Sequence, residues 1–296
     1  MATLETVRKK IGTAEELQSV VKVMKGLAAS SIRQFEEAVE SLVEYSRTIE
    51  LGLQTLLLSR VELRTAPPPR GKKIERLGAV IFGSDQGMCG RFNQLIAEHA
   101  VNAIRAENLP DENVSTLIVG SRIVPLLEME GFTVGEQVSP ATSLAGITPV
   151  IRQMLAVILR WREEGDFDRI LLCYNEAHGG TVYESHTHQL FPLDATWLEE
   201  VRTRKWPTNR LPIYTIAWDE LFASLIREHI YIALFRAAAE SLASENASRL
   251  ASMQAAERNI EERLEALGAR YRLTRQHTIT EELLDIIAGF EALSDD

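Results

Sequence analysis

Leu4–Leu56 reads LETVRKKIGTAEELQSVVKVMKGLAASSIRQFEEAVESLVEYSRTIELGLQTL. In heptads, the a positions are Leu4, Ile11, Gln18, Lys25, Ile32, Val39, Ser46 and Leu53. The d positions are Val7, Ala14, Val21, Ala28, Phe35, Leu42, Ile49 and Leu56. All eight d positions and five of the eight a positions are apolar, so one stripe runs the length of a helix. The repeat predicts a helix from Leu4 to about Leu63 that buries this stripe against another long helix. At 1.5 Å per residue such a helix reaches ~90 Å, about twice the width of a globular domain of this size. Gln18, Lys25 and Ser46 place polar groups on the seam, where they cost stability and set register. At Gln18 and Lys25 the pairing is expected to loosen or to touch a third party.

A partner helix is found at the other end of the same chain. All ten prolines lie between Pro67 and Pro212, and 12 of the 17 glycines lie between 71 and 180. The two ends are therefore free of the strongest helix breaker. From Asp219 to Phe290, Leu250, Met253, Ile260, Leu264, Leu267 and Tyr271 keep a three–four spacing, as do Ile279, Leu283, Ile286 and Phe290. Ala233–Ala247 is rich in small residues that let helices approach closely. An antiparallel coiled coil of the two ends follows. The expected layout is residues 1–66 as an N-terminal coiled-coil helix, 67–212 as a central domain, and 213–296 as the C-terminal helix that pairs with 1–66. Pro67-Pro68-Pro69-Arg70 reads as a stiff linker.

The middle alternates strand and helix. Leu77–Phe82, Ser115–Val119 and Arg169–Tyr174 are short apolar runs that read as buried strands, and Val182–Leu190 alternates like a fourth. Asn93–Arg105, a segment through Leu127, and Val150–Trp161 carry helical spacing. Strands separated by helices predict a mostly parallel, Rossmann-like α/β domain. The fold class is therefore α/β, with a long antiparallel coiled coil added.

Composition narrows the function. With 45% hydrophobic residues, 25% charged residues and a net charge of -10 over 296 residues, the chain has an ordinary core and no basic footprint for nucleic acid. No run approaches eighteen consecutive apolar residues. Cys89 and Cys173 form no CxxC and read as two free thiols in a reducing compartment.

Chemical motifs are weak. Gly83-Ser84-Asp85-Gln86-Gly87-Met88-Cys89-Gly90 follows a strand and precedes a helix, but matches neither common phosphate-binding glycine pattern. Cys89 has no assigned base, and Ser84–Asp85 has no positioned histidine to complete a triad. His178, His186 and His188 with Glu184 resemble a metal cluster less than hydrogen-bonded histidines beside a loop. No catalytic, cofactor-binding or metal-binding set is expected. Eight arginines and no lysine lie between Asp219 and Asp296. Arg263, Arg270, Arg272 and Arg275 among them read as a solvated face or as a surface for an acidic partner.

Taken in order, these blocks resemble the gamma subunit of the F-type ATP synthase. Arg8-Lys9-Lys10-Ile11, Gln18, Lys22, Met24-Lys25 and Ala28-Ala29-Ser30 are similar to the family's opening helix. Ser84-Asp85-Gln86-Gly87-Met88-Cys89-Gly90-Arg91-Phe92-Asn93 resembles its central signature. Tyr174-Asn175, Leu190–Leu193, Ser244-Glu245-Asn246 with Arg249, Met253, Ala255-Ala256 and Asn259, and Arg275-Gln276 with Ile279–Leu283 resemble the later blocks. The resemblance implies a rotor shaft without catalysis or cofactor, set inside three alpha and three beta subunits. It also implies contacts with an epsilon subunit and a membrane ring of c subunits, at the cytoplasmic face of the cell membrane. It carries the coupling contacts onto Gln18, Met24, Lys25, Arg275, Gln276 and Thr280, and the signature onto Ser84, Asp85, Gly87, Cys89, Gly90 and Asn93. Gln86, Met88, Arg91, Glu257, Glu281 and Asn175–Gly180 depart from the family pattern, in the manner of divergent sodium-linked ATPase lineages. The resemblance leaves the ion, proton or sodium, to the ring. The competing readings are a free-standing coiled-coil scaffold, which would pair its helices between two chains, and an enzyme using the Gly83–Gly90 loop.

Overall fold

A computed structural model describes residues 3–59, 74–165, 167–177 and 183–294, the side chains of 162–165 and 288–294 excepted. The Pro67–Arg70 linker, the expected helix end near Leu63, His178 and the side chain of Phe290 lie outside the described residues. Two units divide the chain, residues 29–249 and residues 1–28 with 250–296. The two terminal helices, α1 (Leu4–Ser59) and α6 (Trp218–Ser294), each contribute to both.

In the larger unit, β1 (Leu77–Phe82), β2 (Val114–Val119), β3 (Glu136–Val138), β4 (Arg169–Ala177) and β5 (Tyr183–Phe191) form one sheet in the order β3-β2-β1-β4-β5. The first four strands are parallel, and β5 runs antiparallel to β4. β1 is buried at every position because it is central and covered on both faces. Val80, Phe82, Leu117, Val119, Leu172 and Tyr174 face α4 (Leu144–Gly165) and the alanine-rich part of α6. Ala79, Ile81, Ile118, Leu171 and Cys173 face α2 (Phe92–Ala106) and α3 (Val124–Met129). This alternation follows from the two-residue period of a strand.

Three local features depart from the sequence reading. α4 begins at Leu144, six residues before Val150, with Pro149 inside it. Fully buried Ile147 and Ile151 hold the helix on the sheet on either side of the missing N–H. Its window Leu144–Trp161 has a mean hydropathy of 1.3, long and apolar enough by composition to span a membrane. Here Ile147, Ile151, Met154, Ile158 and Trp161 lie against the sheet instead. β3 and α5 (Ala195–Thr203) were not anticipated. β3 has only three residues and no alternating pattern. α5 had a legible start, since the Asp194 carboxylate accepts from Thr196 N–H at 2.8 Å. Val201 of α5 packs on Ile49, Leu53 and Leu57 of α1 and on Ile232 of α6.

The heptad frame of α1 holds residue by residue. Every a and d position from Leu4 to Leu56 is buried or half-buried. In the smaller unit Val7, Val21 and Ala28 are buried opposite a stripe containing Met253, Ile260, Leu264, Leu267 and Tyr271 of α6. The second part of the predicted α6 stripe is a correction. Ile279, Leu283 and Ile286 are 47%, 54% and 64% exposed. Gln18 faces Glu261 and Lys25 faces Glu257, so Leu4 falls opposite roughly residues 275–278. Beyond that level α1 has no residue to offer, and the half-buried positions before it are Thr274 and Thr278.

Phe35 is 3% exposed, within the cluster that also holds the first sheet face. Phe35→Ala is expected to cost about 3 kcal/mol, read by urea denaturation of the purified chain. His229 lies at 4.4 Å, centroid to centroid, from Trp197, and burial lowers its pKa from 6.5 to about 4. Its folded pKa lies below the unfolded one, so the unfolded chain takes up the proton first and stability falls as pH drops from about 6.5 to about 4. His229→Phe should remove at most about 3 kcal/mol of that acid destabilisation, read as denaturation midpoints at several pH values.

Candidate functional site

The Ser84–Asn93 loop is tied to itself. Ser84 N–H donates to Asn93 Oδ1 at 2.9 Å, and Asn93 Nδ2 donates back to Ser84 Oγ at 2.8 Å. Ser84 Oγ donates to the Gln86 carbonyl at 3.0 Å. Asp85 Oδ1 accepts from Ser121 N–H at 2.7 Å, and Ser84 O accepts from Arg122 N–H at 2.9 Å. Gly120, at φ +94, is required here because a Cβ would stand 2.7 Å from Ser84 N. Met88 and Gly90 take φ of 59 and 55 and turn the chain into α2. These named polar groups are spent on protein, and no strand-to-helix phosphate cradle is formed from them.

Several of the sequence blocks meet at this loop. Ser248 Oγ of α6 donates to the Cys89 carbonyl at 2.5 Å, and Tyr183 OH donates to Ser248 Oγ at 3.2 Å. Ser244 Oγ donates to the Asn175 carbonyl at 3.0 Å. Asn175 Oδ1 accepts from Ser185 Oγ at 2.7 Å, and Asn175 Nδ2 donates to the Phe92 carbonyl. Glu245 and Arg249, each 8% exposed at the side chain, form an ion pair one turn apart on α6. Burial raises the Glu245 pKa, and Arg249 opposes that rise. Burial likewise raises the Cys89 thiol, with the Ser84 hydrogen bond opposing, and takes Cys173 to about 11. A buried thiol with a raised pKa is a poor nucleophile.

The smaller unit holds the predicted coupling residues, and it places them at two levels. Gln18 Nε2 donates to Glu261 Oε1 at 3.5 Å, and Lys25 Nζ to Glu257 Oε2 at 2.5 Å. The polar seam is therefore closed from within, and Glu257 supplies the carboxylate that Lys25 meets. Met24 is half-buried beside them. Arg275, Gln276 and Thr280 are exposed on α6, and Thr280 Oγ1 donates back to the Gln276 carbonyl at 2.9 Å. Residue 275 lies 18 positions past 257, about 27 Å along the helix. Arg263, Arg270 and Arg272 are exposed, a solvated face on this chain.

Large apolar side chains are also bare in this unit. Leu17, Val20, Val23 and Leu27 of α1 are 53–65% exposed, off the seam. Leu273, Leu283, Leu284, Ile286 and Ile287 of α6 are 53–64% exposed. Apolar surface of this extent on paired helices marks a contact surface. His186 and His188 sit on β5, where His186 meets Tyr174 edge-on at 5.6 Å. Among the described residues no three side chains are grouped to hold a metal ion.

Two tests follow from this geometry. The half-exposed Lys25–Glu257 pair should contribute at most about 1 kcal/mol. Glu257→Lys should lower the melting temperature, and Lys25→Glu in the same chain should recover most of the loss. A thiol reagent at pH 8 should modify neither cysteine in the folded chain and both after denaturation.

Comparison with known proteins places the chain. A family model described as ATP synthase matches residues 3–293. The ATP synthase gamma chain of Buchnera aphidicola subsp. Diuraphis noxia is 27% identical over 296 residues, 99% of either chain. A chain of the Euglena gracilis mitochondrial ATP synthase rotor, rotational state 1, superposes with a TM-score of 0.60 at 17% identity, over 93% of this chain and 98% of that one. A chain of the Tetrahymena thermophila mitochondrial ATP synthase central stalk and c-ring gives 0.58 at 18% identity, over 80% of this chain and 99% of that one. At these identities the solved structures establish the shared fold, while the family match covers nearly every residue. The chain belongs to the ATP synthase family and, within it, aligns from end to end with a gamma chain.

Proposed function

We propose that this chain is the central rotor shaft, the gamma subunit, of an F-type ATP synthase or ATPase, and that it catalyses nothing itself. The observation that carries this reading is the paired tip of α1 and α6. Its seam is closed within the chain, yet both helices keep large apolar side chains bare. Such a hairpin is stable in outline and incomplete in surface, as a shaft enclosed by partners requires. The scaffold alternative needs the seam free to pair with a second chain, and here Lys25, Gln18 and the a/d residues spend it on α6.

The partners are three alpha and three beta subunits around one copy of this chain, an epsilon subunit, and the c-subunit ring. Gln18, Met24 and Lys25 form one level of contact to the catalytic head, and Arg275, Gln276 and Thr280 a second. Residues 1–66 and 213–296 serve as the shaft, and 67–212 as the domain toward the ring. The complex is membrane-associated, and this subunit sits at the cytoplasmic face of the cell membrane. An asymmetric shaft touches each catalytic subunit differently and so biases their conformations unequally, and rotation permutes the bias. ATP chemistry stays in the head, and the ion is chosen in the ring.

Co-expression with alpha and beta ATPase subunits tests the reading. One copy of this chain per three pairs, with ATPase activity, is the expected result. Homodimers with interchain helix crosslinks would overturn it. In the assembled enzyme, Arg275→Ala with Gln276→Ala should lower ATP-driven ion uptake while the isolated chain keeps its melting temperature.

A further inference from the structure

The resemblance assigned no task to the Ser84–Asn93 signature, and the geometry gives it one. α6 meets the sheet mainly through small or apolar residues, Leu234, Ala237, Ala238, Leu242 and Ala243. Apolar contact is non-directional, so it resists separation far better than sliding or twisting about the helix axis. Hydrogen bonds are directional and hold a position. Besides the half-exposed Arg236–Glu176 pair to β4, and Tyr183 OH of β5, which donates to Ser248 Oγ, α6 donates two buried hydrogen bonds to backbone carbonyls on the sheet side. Ser244 Oγ reaches the Asn175 carbonyl on β4, and Ser248 Oγ reaches the Cys89 carbonyl in the loop after β1.

The two serines are four residues apart, hence on one face of the helix and about 6 Å apart along its axis. Their acceptors lie on different elements, so the pair fixes both the axial level of α6 and its rotation. The acceptors are themselves held. Cys89 O also accepts from Phe92 N–H at 3.1 Å, which locks the loop to the start of α2. The Asn175 side chain binds Ser185 on β5 and the Phe92 carbonyl. Ser244 and Asn175 are fully buried, and Ser248 and Cys89 are 7% and 4% exposed, so water does not compete for these bonds.

We infer that Ser244 and Ser248 are the positioning residues through which torque passes between the sheet domain and α6, and that the signature loop serves to present the Cys89 carbonyl to that grip. This rests on the rotor reading. A joint held only by packing would slip under load while remaining assembled.

The test uses the complete ATPase, with its head, epsilon subunit and ring, in sealed vesicles. ATP hydrolysis and ATP-driven ion uptake are measured for the wild type, for Ser244→Ala with Ser248→Ala, and for Leu234→Ala as a packing control on the same helix. The double serine variant is expected to assemble, to hydrolyse ATP, and to lose ion uptake per ATP. Leu234→Ala is expected to melt at lower temperature yet keep the wild-type ratio of uptake to hydrolysis. Wild-type uptake per ATP in the double variant overturns the inference, as does an equal loss in Leu234→Ala, which would make the effect one of stability. If the double variant fails to assemble, Ser248→Ala alone carries the same expectation. A wild-type chain that fails to join the head or to support uptake would instead overturn the rotor reading.

Discussion

The apolar seam between α1 and α6 is the constraint on which the rest of the chain depends. A helix as long as α1 or α6 gains little from its own propensities and is held by burying one face. Each fully buried leucine on that face contributes about 2 kcal/mol, and the stripe runs from Leu4 to Leu56. Because the partner stripe belongs to the other end of the same chain, the sheet domain between them must return the chain antiparallel. In residues 29–249, α1, α4, α5 and α6 all pack through clusters that include seam residues such as Phe35, Ile49 and Leu53.

Polar groups refine what the seam allows. Hydrophobic burial fixes which faces meet but tolerates slippage, whereas Lys25 with Glu257 and Gln18 with Glu261 accept one alignment. The same division of labour recurs in the larger unit, where the alanines of α6 set close approach and Ser244 and Ser248 set position. In both places a small energetic contribution carries specificity. For a rotor subunit this division suits the task, since torque and register depend on directional contacts more than on total buried area.

Bare apolar residues complete the functional logic. Leu17, Val20, Val23 and Leu27, with Leu283, Ile286 and Ile287, would be a liability on a solitary protein. On the proposed reading, an enclosing head would cover them, and they would form the surface on which unequal contact is made. On the same reading, the coupling residues occupy two levels of the hairpin, so the bias on the catalytic subunits would be applied along a length of helix rather than at one point.

The sequence by itself determined the heptad frame, the proline-free ends and the central strands. These are periodic or compositional properties, and residues near in sequence carry them. It also marked Ser84–Asn93, Asn175 and Ser244–Arg249 as separate blocks, and the polar seam positions Gln18 and Lys25. Only the tertiary structure decided that those three blocks form one joint, because Ser248 and Cys89 lie 159 residues apart and no local pattern links them. It likewise decided that Lys25 is answered by Glu257, and that the stripe at Ile279–Ile286 is bare rather than paired. A three–four spacing states that one face of a helix is apolar. Whether anything covers that face depends on where the partner helix begins, and here that is Leu4.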